Sequence, residues 1–265
     1  MRYGFCKEFS TALKTEVDYS LVKMIKDAGF DYIEMRLMLV AALADDAFEK
    51  LVRTLNEYAL PCDVCCALFP RTLRVTGMEA DDKAIGDYLE LAFCRANKLG
   101  ARKVVFGSAP ARALDENTTQ ERGYQQLTDM IHAVMLPLCE KYDITVVIEP
   151  LRRDACNFIN TLTDGMKLVK MVHSNRIGLL ADSLHMLTNQ ENANQIMDYQ
   201  DSLRHVHIAD AGRNLPEDGY STQVEAIIRN LRKINYNHTI SFESKNGRGV
   251  ESMVKALDLL KRQFN

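Results

Sequence analysis

Four stretches of the chain share one pattern, in which an apolar run ends in a side chain that could bind a metal ion. The side chains at these ends are Glu149, Asp182, His207 and Glu243. Because Pro150 cannot continue a sheet ladder, Glu149 is expected at the end of a buried strand, where a loop begins. A carboxylate at such a place is costly to bury unless a cation or hydrogen bonds receive it. If the four strand ends converge, these side chains form one site.

Three carboxylates and one neutral imidazole make a donor set for a divalent cation. Mg²⁺ and Mn²⁺ prefer carboxylate oxygen, and the imidazole shifts the preference toward Mn²⁺, Co²⁺ or Zn²⁺. Such an ion would polarise the carbonyl of a ketose or aldose and stabilise the enediolate that forms when the α-proton leaves. Glu149 and Glu243 would flank the substrate, so that one removes a proton and the other returns it. Return to the same carbon gives epimerisation and return to the neighbouring carbon gives isomerisation, and the spacing leaves both open.

Candidate substrate contacts surround these four residues. His185 follows Asp182 by three residues, where the strand gives way to its loop. Arg213 lies in the loop after the seventh strand and can reach back toward the enediolate. Arg152 adds positive charge just past the fifth strand, and Arg248 lies directly after the eighth. Because many barrels hold phosphate in the loops after strands seven and eight, a phosphosugar or sugar acid stays open as the substrate.

Two other polar side chains near the seventh strand end have different interpretations. His205 has the same inward phase as His207 but lies two residues deeper, which favours a structural role. Asp210 follows in the loop and could replace His207 as a ligand.

The composition limits which classes of protein the chain can belong to. Its 265 residues are 47% hydrophobic and 26% charged, as in an ordinary globular protein. The net charge of -3 gives no footprint for nucleic acid or an anionic membrane, and no apolar segment approaches the length of a membrane span. An odd number of cysteines, seven, favours reduced thiols in a cytoplasmic protein. Cys62, Cys65 and Cys66 are interpreted as small buried residues, because no second pair completes a zinc site.

The pattern along the chain predicts eight strands that alternate with eight helices in a single domain, residues 1–265. Alternation of this kind indicates parallel strands joined by crossover helices, and eight units of this length predict a closed (β/α)8 TIM barrel. An open doubly wound sheet is the alternative, but its glycine-rich first turn is missing from residues 5–8. Functional groups of such a barrel lie at the C-terminal ends of its strands. The strands are predicted at 2–6, 31–35, 63–69, 103–107, 144–149, 177–182, 203–207 and 238–243, and the helices at 19–28, 42–58, 79–99, 118–141 with a disturbance at Pro137, from 163, 192–199, 222–234 and 250–264.

Several motifs together resemble those of one family. The chain is similar to the xylose isomerase-like barrel superfamily of sugar isomerases and epimerases, and most of all to its D-tagatose and D-psicose 3-epimerase branch. The resemblance covers nearly the whole chain. Its pieces are residues 100–108 (GARKVVFGS), 148–151 (IEPL), 157–161 (NFINT), 181–185 (ADSLH), 205–210 (HVHIAD) and 241–243 (SFE).

The resemblance implies a role for each matching position. The four strand-end side chains would bind one metal ion, usually Mn²⁺, and the two glutamates among them would act as acid and base. His185 and Arg213 would hold the substrate. The resemblance also implies a homo-oligomer, a dimer or a tetramer.

The chain departs from the family pattern after the fifth strand. The family commonly carries an asparagine there and, a few residues later, a glutamate that contacts the sugar. This chain has Arg152 and Ala155 at those places. The loss of a carboxylate and the gain of a cation favour a substrate with an anionic or otherwise different end, which Arg152 would contact.

The sequence therefore predicts a metal-dependent isomerase or epimerase of the cytoplasm that acts on a small sugar or sugar derivative and binds neither nucleic acid nor membrane. One alternative is a cyclitol (inosose) isomerase or dehydratase that uses the same metal site. A second is a sugar-binding barrel without catalysis. An apurinic endonuclease of the same superfamily is disfavoured, because its zinc cluster needs histidines on early strands and the first four strands have none.

Overall fold

A closed barrel of parallel strands forms the centre of the molecule. The computed structural model describes residues 1–6, 19–244 and 249–264. Within them the strands are β1 (Arg2–Cys6), β2 (Tyr32–Arg36), β3 (Val64–Cys66), β4 (Lys103–Phe106), β5 (Thr145–Ile148), β6 (Ile177–Asp182), β7 (Leu203–Ile208) and β8 (Thr239–Glu243). Each strand pairs with its neighbours in chain order, and β8 closes the barrel on β1. The predicted TIM barrel is confirmed.

Helices surround the barrel and bury one apolar face each against it. No helix in the described ranges is long and apolar enough to cross a membrane. The helices are α1 (Tyr19–Asp27), α2 (Leu37–Ala42), α3 (Asp45–Glu57), α4 (Asp82–Leu99), α5 (Ala109–Arg112), α6 (Gln120–Met130), α7 (Leu136–Tyr142), α8 (Leu162–Val172), α9 (Ser183–Thr188), α10 (Gln195–Asp198), α11 (Thr222–Lys233) and α12 (Val250–Phe264).

The barrel interior is filled by side chains rather than by solvent. Alternate residues of each strand point to the axis, and an apolar group of them packs there together with Tyr32. The Tyr32 ring passes over Gly4 on the neighbouring strand β1, and its hydroxyl lies 2.8 Å from Ser241 Oγ on β8. Gly4 makes room for this ring, since a Cβ at that position would lie 2.1 Å from a ring carbon. A filled interior gives the C-terminal end of the barrel a solid floor.

Two predicted boundaries differ from the structure because of local backbone conformation. The third strand, predicted at 63–69, ends at Cys66, since Ala67 adopts a left-handed conformation (φ +49°) that breaks the extended run. The helix predicted at 42–58 begins only at Asp45, as α3, because Leu43 and Ala44 are extended and separate it from α2, which was not predicted. Hydrophobic periodicity does not register a break of two residues.

The disturbance expected at Pro137 is present. Between α6 and α7 the helix widens into a π-helical turn at Ile131–Met135, and Pro137 follows in the first turn of α7. Proline lacks an N–H and its ring crowds the preceding turn, so a wider turn at this place accommodates it.

Two helices that carry or flank the site have side-chain caps. Thr161 caps α8 through a capping box with Asp164, and the helix begins at Leu162, one residue before the predicted start. Asp182 ends β6 and also caps α9: its Oδ1 accepts hydrogen bonds from the N–H groups of Leu184 (2.7 Å) and His185 (3.1 Å). The sequence analysis did not predict α9, and it assigned the weaker helix 192–199, of which only α10 is helical.

Candidate metal centre and substrate cavity

The expected ligand side chains meet at the C-terminal end of the barrel. Glu149 directly follows β5, Asp182 and Glu243 end β6 and β8, and His207 lies in β7. Asp182 and His207 are partners in the strand register, which sets them side by side. One ligand atom from each of the four side chains lies within 4.8 Å of the others. This group contains His207 and not Asp210, the alternative ligand.

Carboxylate oxygens face Nδ1 of His207 from three sides. The distances from this nitrogen are 3.2 Å to Glu243 Oε2, 3.4 Å to Glu149 Oε1 and 3.7 Å to Asp182 Oδ2. His207 Nδ1 and Asp182 Oδ2 are both buried, and neither makes a hydrogen bond to the described part of the chain. Buried polar atoms without partners call for an explanation, and oxygen and nitrogen donors around one point suit a divalent cation. The residues present therefore fit the expected metal ion.

Glu34 on β2 holds the other side of the His207 ring, and the sequence analysis missed it. Its Oε1 lies 2.9 Å from His207 Nε2, and its Oε2 lies 3.0 Å from Nε2 of His205, which is fully buried. Burial would raise the pKa of Glu34, but the two imidazoles hold that pKa below its usual range. A carboxylate behind a ligand histidine fixes the ring and increases its basicity. In the sequence, Glu34 stands out as a charged residue inside an apolar strand. It was missed because it lies away from the strand ends, where ligands were expected.

The charge on His207 reflects its surroundings. Burial would lower the pKa of this imidazole, yet the carboxylates of Glu34 and Glu243 raise that pKa well above its usual range. A proton on Nδ1 thus compensates the surrounding carboxylates when no cation does so. Binding of a dication in the same place would release this proton.

Gly107, which follows β4, and Arg112 in α5 position Glu149. A Cβ at residue 107 would lie 1.7 Å from Glu149 Oε2, so any larger side chain there would displace the carboxylate. The buried guanidinium of Arg112 donates to the carbonyl oxygens of Glu149 (2.6 Å) and Phe106 (2.7 Å) and so ties together the ends of β4 and β5. Glu149 is therefore fixed through its backbone by an arginine and confined at its carboxylate by a glycine.

The two expected substrate contacts, His185 and Arg213, lie beside the ligand group. Nε2 of His185 is 3.9 Å from both Glu149 Oε1 and Asp182 Oδ2. The Arg213 guanidinium pairs with the Glu243 carboxylate and lies 3.4 Å from Asp182 Oδ2 and 3.2 Å from His185 Nε2. Burial would raise the pKa of Asp182, but His185 and Arg213 hold that pKa well below its usual range.

Arg152 meets the site through its backbone rather than its guanidinium. Its N–H donates to Nδ1 of His185 (3.3 Å), while its side chain is turned to Asp154 (Nε to Oδ1, 3.2 Å) and is 41% exposed. The cause is a turn in which the N–H groups of Ala155 and Cys156 donate to the Arg152 carbonyl. In this structure the Arg152 side chain is not among those that line the cavity, and its contact with a substrate stays a prediction. Arg248, the expected contact after β8, lies outside the described residues.

A cavity of about 250 Å³ opens above the ligand group. Its lining includes Glu149, Glu243, His185 and Arg213. It also includes two cations that the sequence analysis did not single out, Arg36 at the end of β2 and Arg71 after β3, and the apolar side chains Met38, Phe69 and Leu151. A cavity lined by several hydrogen-bonding groups together with apolar side chains suits a small polar ligand such as a monosaccharide.

Comparisons with known proteins identify a family and the same barrel fold. A family model described as xylose isomerase-like TIM barrel matches residues 22–263. A 3-dehydro-D-guloside 4-epimerase of Escherichia coli (strain K12) is 24% identical over 243 residues, which cover 84% of this chain and 85% of that protein. A D-allulose 3-epimerase from Methylomonas sp. superposes with a TM-score of 0.83 at 19% identity and covers 99% of this chain and 98% of its own. The IOLI protein with a bound zinc atom superposes with a TM-score of 0.73 at 19% identity, over 99% of this chain and 96% of its own.

Proposed function

The chain belongs to the xylose isomerase-like TIM barrel family, and on this premise we propose that it is a divalent-metal-dependent sugar isomerase or epimerase. The observation that carries the proposal is the convergence of Glu149, Asp182, His207 and Glu243 within 4.8 Å, with two of their buried atoms lacking hydrogen bonds to the described residues. The relatives support the enzyme class, because those named above include sugar epimerases, which are isomerases.

The four converging side chains are proposed to hold one divalent ion. The resemblance to the 3-epimerases favours Mn²⁺. Mg²⁺, Co²⁺ and Zn²⁺ are alternatives, because three carboxylates and one imidazole accept all of these ions. The bound ion supplies a Lewis acid that polarises a carbonyl and makes the neighbouring C–H acidic. The zinc atom in the IOLI protein supports metal binding in this fold and leaves the metal of this chain open.

The chain's own residues then move the proton. Glu149 follows β5, Glu243 ends β8 and both line the cavity, so a carboxylate oxygen of one can take the proton from carbon while the other returns it. Gly107 and Arg112 keep Glu149 in place, and Arg213 neutralises Glu243 until a substrate oxygen competes for its N–H groups. Nε2 of His185 lies 3.9 Å from the carboxylates of Glu149 and Asp182, close enough to contact a substrate oxygen beside them.

The names of the relatives suggest which substrates to test. Both 3-dehydro-D-guloside 4-epimerase and D-allulose 3-epimerase act on the carbon next to a ketone. We therefore expect this protein to act on a keto sugar, free or as a glycoside, and the cavity cations Arg36 and Arg71 make acidic and phosphorylated keto sugars part of the same test.

The experiment is a proton-exchange assay in D₂O. The Mn²⁺-loaded protein is incubated with a panel of ketoses, 3-keto glycosides, inososes, keto sugar acids and keto sugar phosphates, and deuterium at the carbon next to the carbonyl is followed by NMR. Exchange with at least one sugar, lost in Glu149→Gln and Glu243→Gln, is the expected result. Sugar binding without exchange would make the protein a sugar-binding barrel. Failure to bind any divalent ion at saturating Mn²⁺ would overturn the proposal.

A further inference from the structure

A continuous column of hydrogen bonds runs through the barrel beneath the candidate metal centre. Lys103 Nζ on β4 donates to Thr239 Oγ1 on β8 (3.1 Å), and this oxygen lies 2.8 Å from His205 Nδ1 on β7. Nε2 of His205 is 3.0 Å from one oxygen of Glu34, whose other oxygen is 2.9 Å from Nε2 of His207. The side chains of His205, Glu34 and His207 are essentially inaccessible to solvent, so no water substitutes for these contacts from outside.

The two ends of the column determine the direction of every hydrogen bond in it. An ammonium group only donates, so Thr239 Oγ1 accepts from Lys103 and its own hydroxyl proton is free to donate to His205 Nδ1. The carboxylate of Glu34 only accepts, so His205 and His207 must each present an N–H at Nε2.

A competing arrangement would place the proton of His205 on Nδ1 and direct it to the Thr239 carbonyl oxygen, 3.0 Å away. That oxygen already accepts the hydroxyl hydrogen bond of Tyr236 (3.0 Å). In addition, the competing arrangement would turn a bare Nε2 lone pair toward the Glu34 carboxylate, which is repulsive. The column therefore favours one tautomer of His205.

We propose that Lys103, Thr239 and His205 form a directed hydrogen-bond column that keeps Glu34 accepting from His207 and thereby aims His207 Nδ1 at the metal centre. Lys103 and Thr239 are then positioning residues that never touch the ion or the substrate. This inference rests on the proposed function only for the identity of the ion that Nδ1 meets. Its consequence is that a hydroxyl group near the opposite end of the barrel controls how tightly the site holds a cation.

The test compares two substitutions of one residue. Thr239→Val keeps the shape and the strand preference but removes the hydroxyl, whereas Thr239→Ser keeps the hydroxyl and serves as the control. Calorimetric titration of the metal-free protein with Zn²⁺ and Mn²⁺ should give about fivefold weaker binding in Thr239→Val, corresponding to the loss of one net hydrogen bond, and binding within about twofold of the unmodified protein in Thr239→Ser. Glu34→Gln should weaken binding by about 10- to 100-fold.

A second readout reports the tautomer directly and does not need a metal ion. The chain has six histidines, so ¹⁵N NMR of their side chains is tractable, and the His205 signals can be assigned with His205→Asn. The unmodified protein and Thr239→Ser should show the His205 proton on Nε2 and a hydrogen-bonded Nδ1, whereas in Thr239→Val the ¹⁵N signal of Nδ1 should move downfield, because its lone pair has lost the hydroxyl donor while Glu34 still accepts from Nε2. If Thr239→Val does not fold, Lys103→Met removes the first donor of the column and should shift the same signals in the same direction.

Two results would overturn the column: a His205 ring protonated on Nδ1 or on both nitrogens in the unmodified protein, or equal cation affinities of Thr239→Val and Thr239→Ser. Failure of the proposed function gives a different pattern. In that case the unmodified protein binds neither Zn²⁺ nor Mn²⁺, while His205 still carries its proton on Nε2 alone and the ¹⁵N signal of its Nδ1 still moves downfield in Thr239→Val.

Discussion

The two ends of the barrel treat polar groups in opposite ways. At the C-terminal end, carboxylates crowd around one imidazole, and buried atoms of Asp182 and His207 lack hydrogen bonds to the described residues. At the N-terminal end, polar groups are paired: Arg2 Nε lies 2.5 Å from an Asp63 oxygen, and the chain's amino terminus donates to Asn237. One end satisfies its polar groups internally, and the other keeps them available for a ligand.

This difference teaches where the fold gives up stability for function. Like charges near one another and unpaired buried atoms are unfavourable in the folded protein, and they persist where an activity requires them. In TIM barrels the C-terminal end carries function and the opposite end carries stability. Substitutions that equalise the two ends should therefore change activity and stability in opposite directions at the candidate site and hardly change activity elsewhere.

The largest expected effect is the loss of activity on substitution of Glu149, at the C-terminal end of the barrel. Glu149→Gln should lower kcat/KM in the exchange assay by at least about 10³-fold, because it removes a proposed acid/base group and a metal ligand. Because the substitution also removes one of the crowded carboxylates, the free energy of unfolding in EDTA should not fall. Urea titration of both proteins measures the second quantity. Asp63→Asn at the paired end is the control and should leave kcat/KM nearly unchanged; an equal loss in the control would remove the contrast.

The next effect concerns the space beside Glu149. Gly107→Ala introduces a Cβ that must push the Glu149 carboxylate aside, and a displacement of about 1 Å at a reacting group costs about 10²-fold in rate. The measurement is kcat/KM together with the dissociation constant for Mn²⁺, and both should worsen. Gly100→Ala is not a matched control, because Gly100 has a left-handed backbone (φ +94°). Gly86→Ala is better, since its nearest neighbour is one side-chain methyl of Val134, and it should leave both values within about twofold.

Removal of the metal ion should lower thermal stability by an intermediate amount. An ion present at about 100 times its dissociation constant stabilises the folded state by about 2.7 kcal/mol, which corresponds to a fall of about 5–10 °C in Tm on addition of EDTA. Calorimetric scans with Mn²⁺ and with EDTA measure it. Asp63→Asn should keep the whole difference, whereas Glu149→Gln should lose most of it. A Tm that does not respond to EDTA in the unmodified protein would count against the metal centre.

The smallest expected effect is a change in how stability depends on pH, and it concerns Glu191, a partly buried carboxylate. Its Oε2 accepts a hydrogen bond from the N–H of Leu162 at the start of α8. Burial raises the pKa of Glu191 to about 7. Because this pKa lies above the unfolded value, the contribution of Glu191 to stability is complete below about pH 4.3 and is lost as the pH rises through about 7. The free energy of unfolding of Glu191→Gln should therefore match that of the unmodified protein at pH 4 and exceed it by about 1–2 kcal/mol at pH 8 in urea titrations, less than the full conversion of about 1.4 kcal/mol per pKa unit because solvent screens this partly exposed group. A constant difference between the two proteins across this range would contradict the assignment.

The architecture was predictable because its cause is local and repeated. Strands buried on both faces read as continuous apolar runs, and their alternation with amphipathic helices leaves few topologies. The convergence of the four strand-end side chains was predictable for the same reason: Asp182 and Glu243 interrupt apolar runs at their ends, where a carboxylate is costly to bury. The end of the third strand at Cys66 was not predictable, because it depends on the left-handed conformation of Ala67 and not on any change in hydrophobicity.

The parts of the site that escaped prediction depend on distant contacts. Glu34 is separated from His207 by 173 residues, and only closure of the barrel shows that they meet. Arg36 and Arg71 line the cavity because of where β2 and the loop after β3 end in space. The pairing of the Arg152 side chain with Asp154 follows a backbone turn, and side-chain direction in a loop cannot be read from residue type.

Asp182 divides its carboxylate between two tasks. One oxygen is held by the first N–H groups of α9, and the other faces the ligand group. His185 is one of the residues whose N–H is held in this way, so the imidazole that lines the cavity is attached to the same carboxylate. A shift of Asp182 would therefore be passed to His185 through the first turn of α9, so that binding at the proposed metal centre would also move the imidazole that lines the cavity.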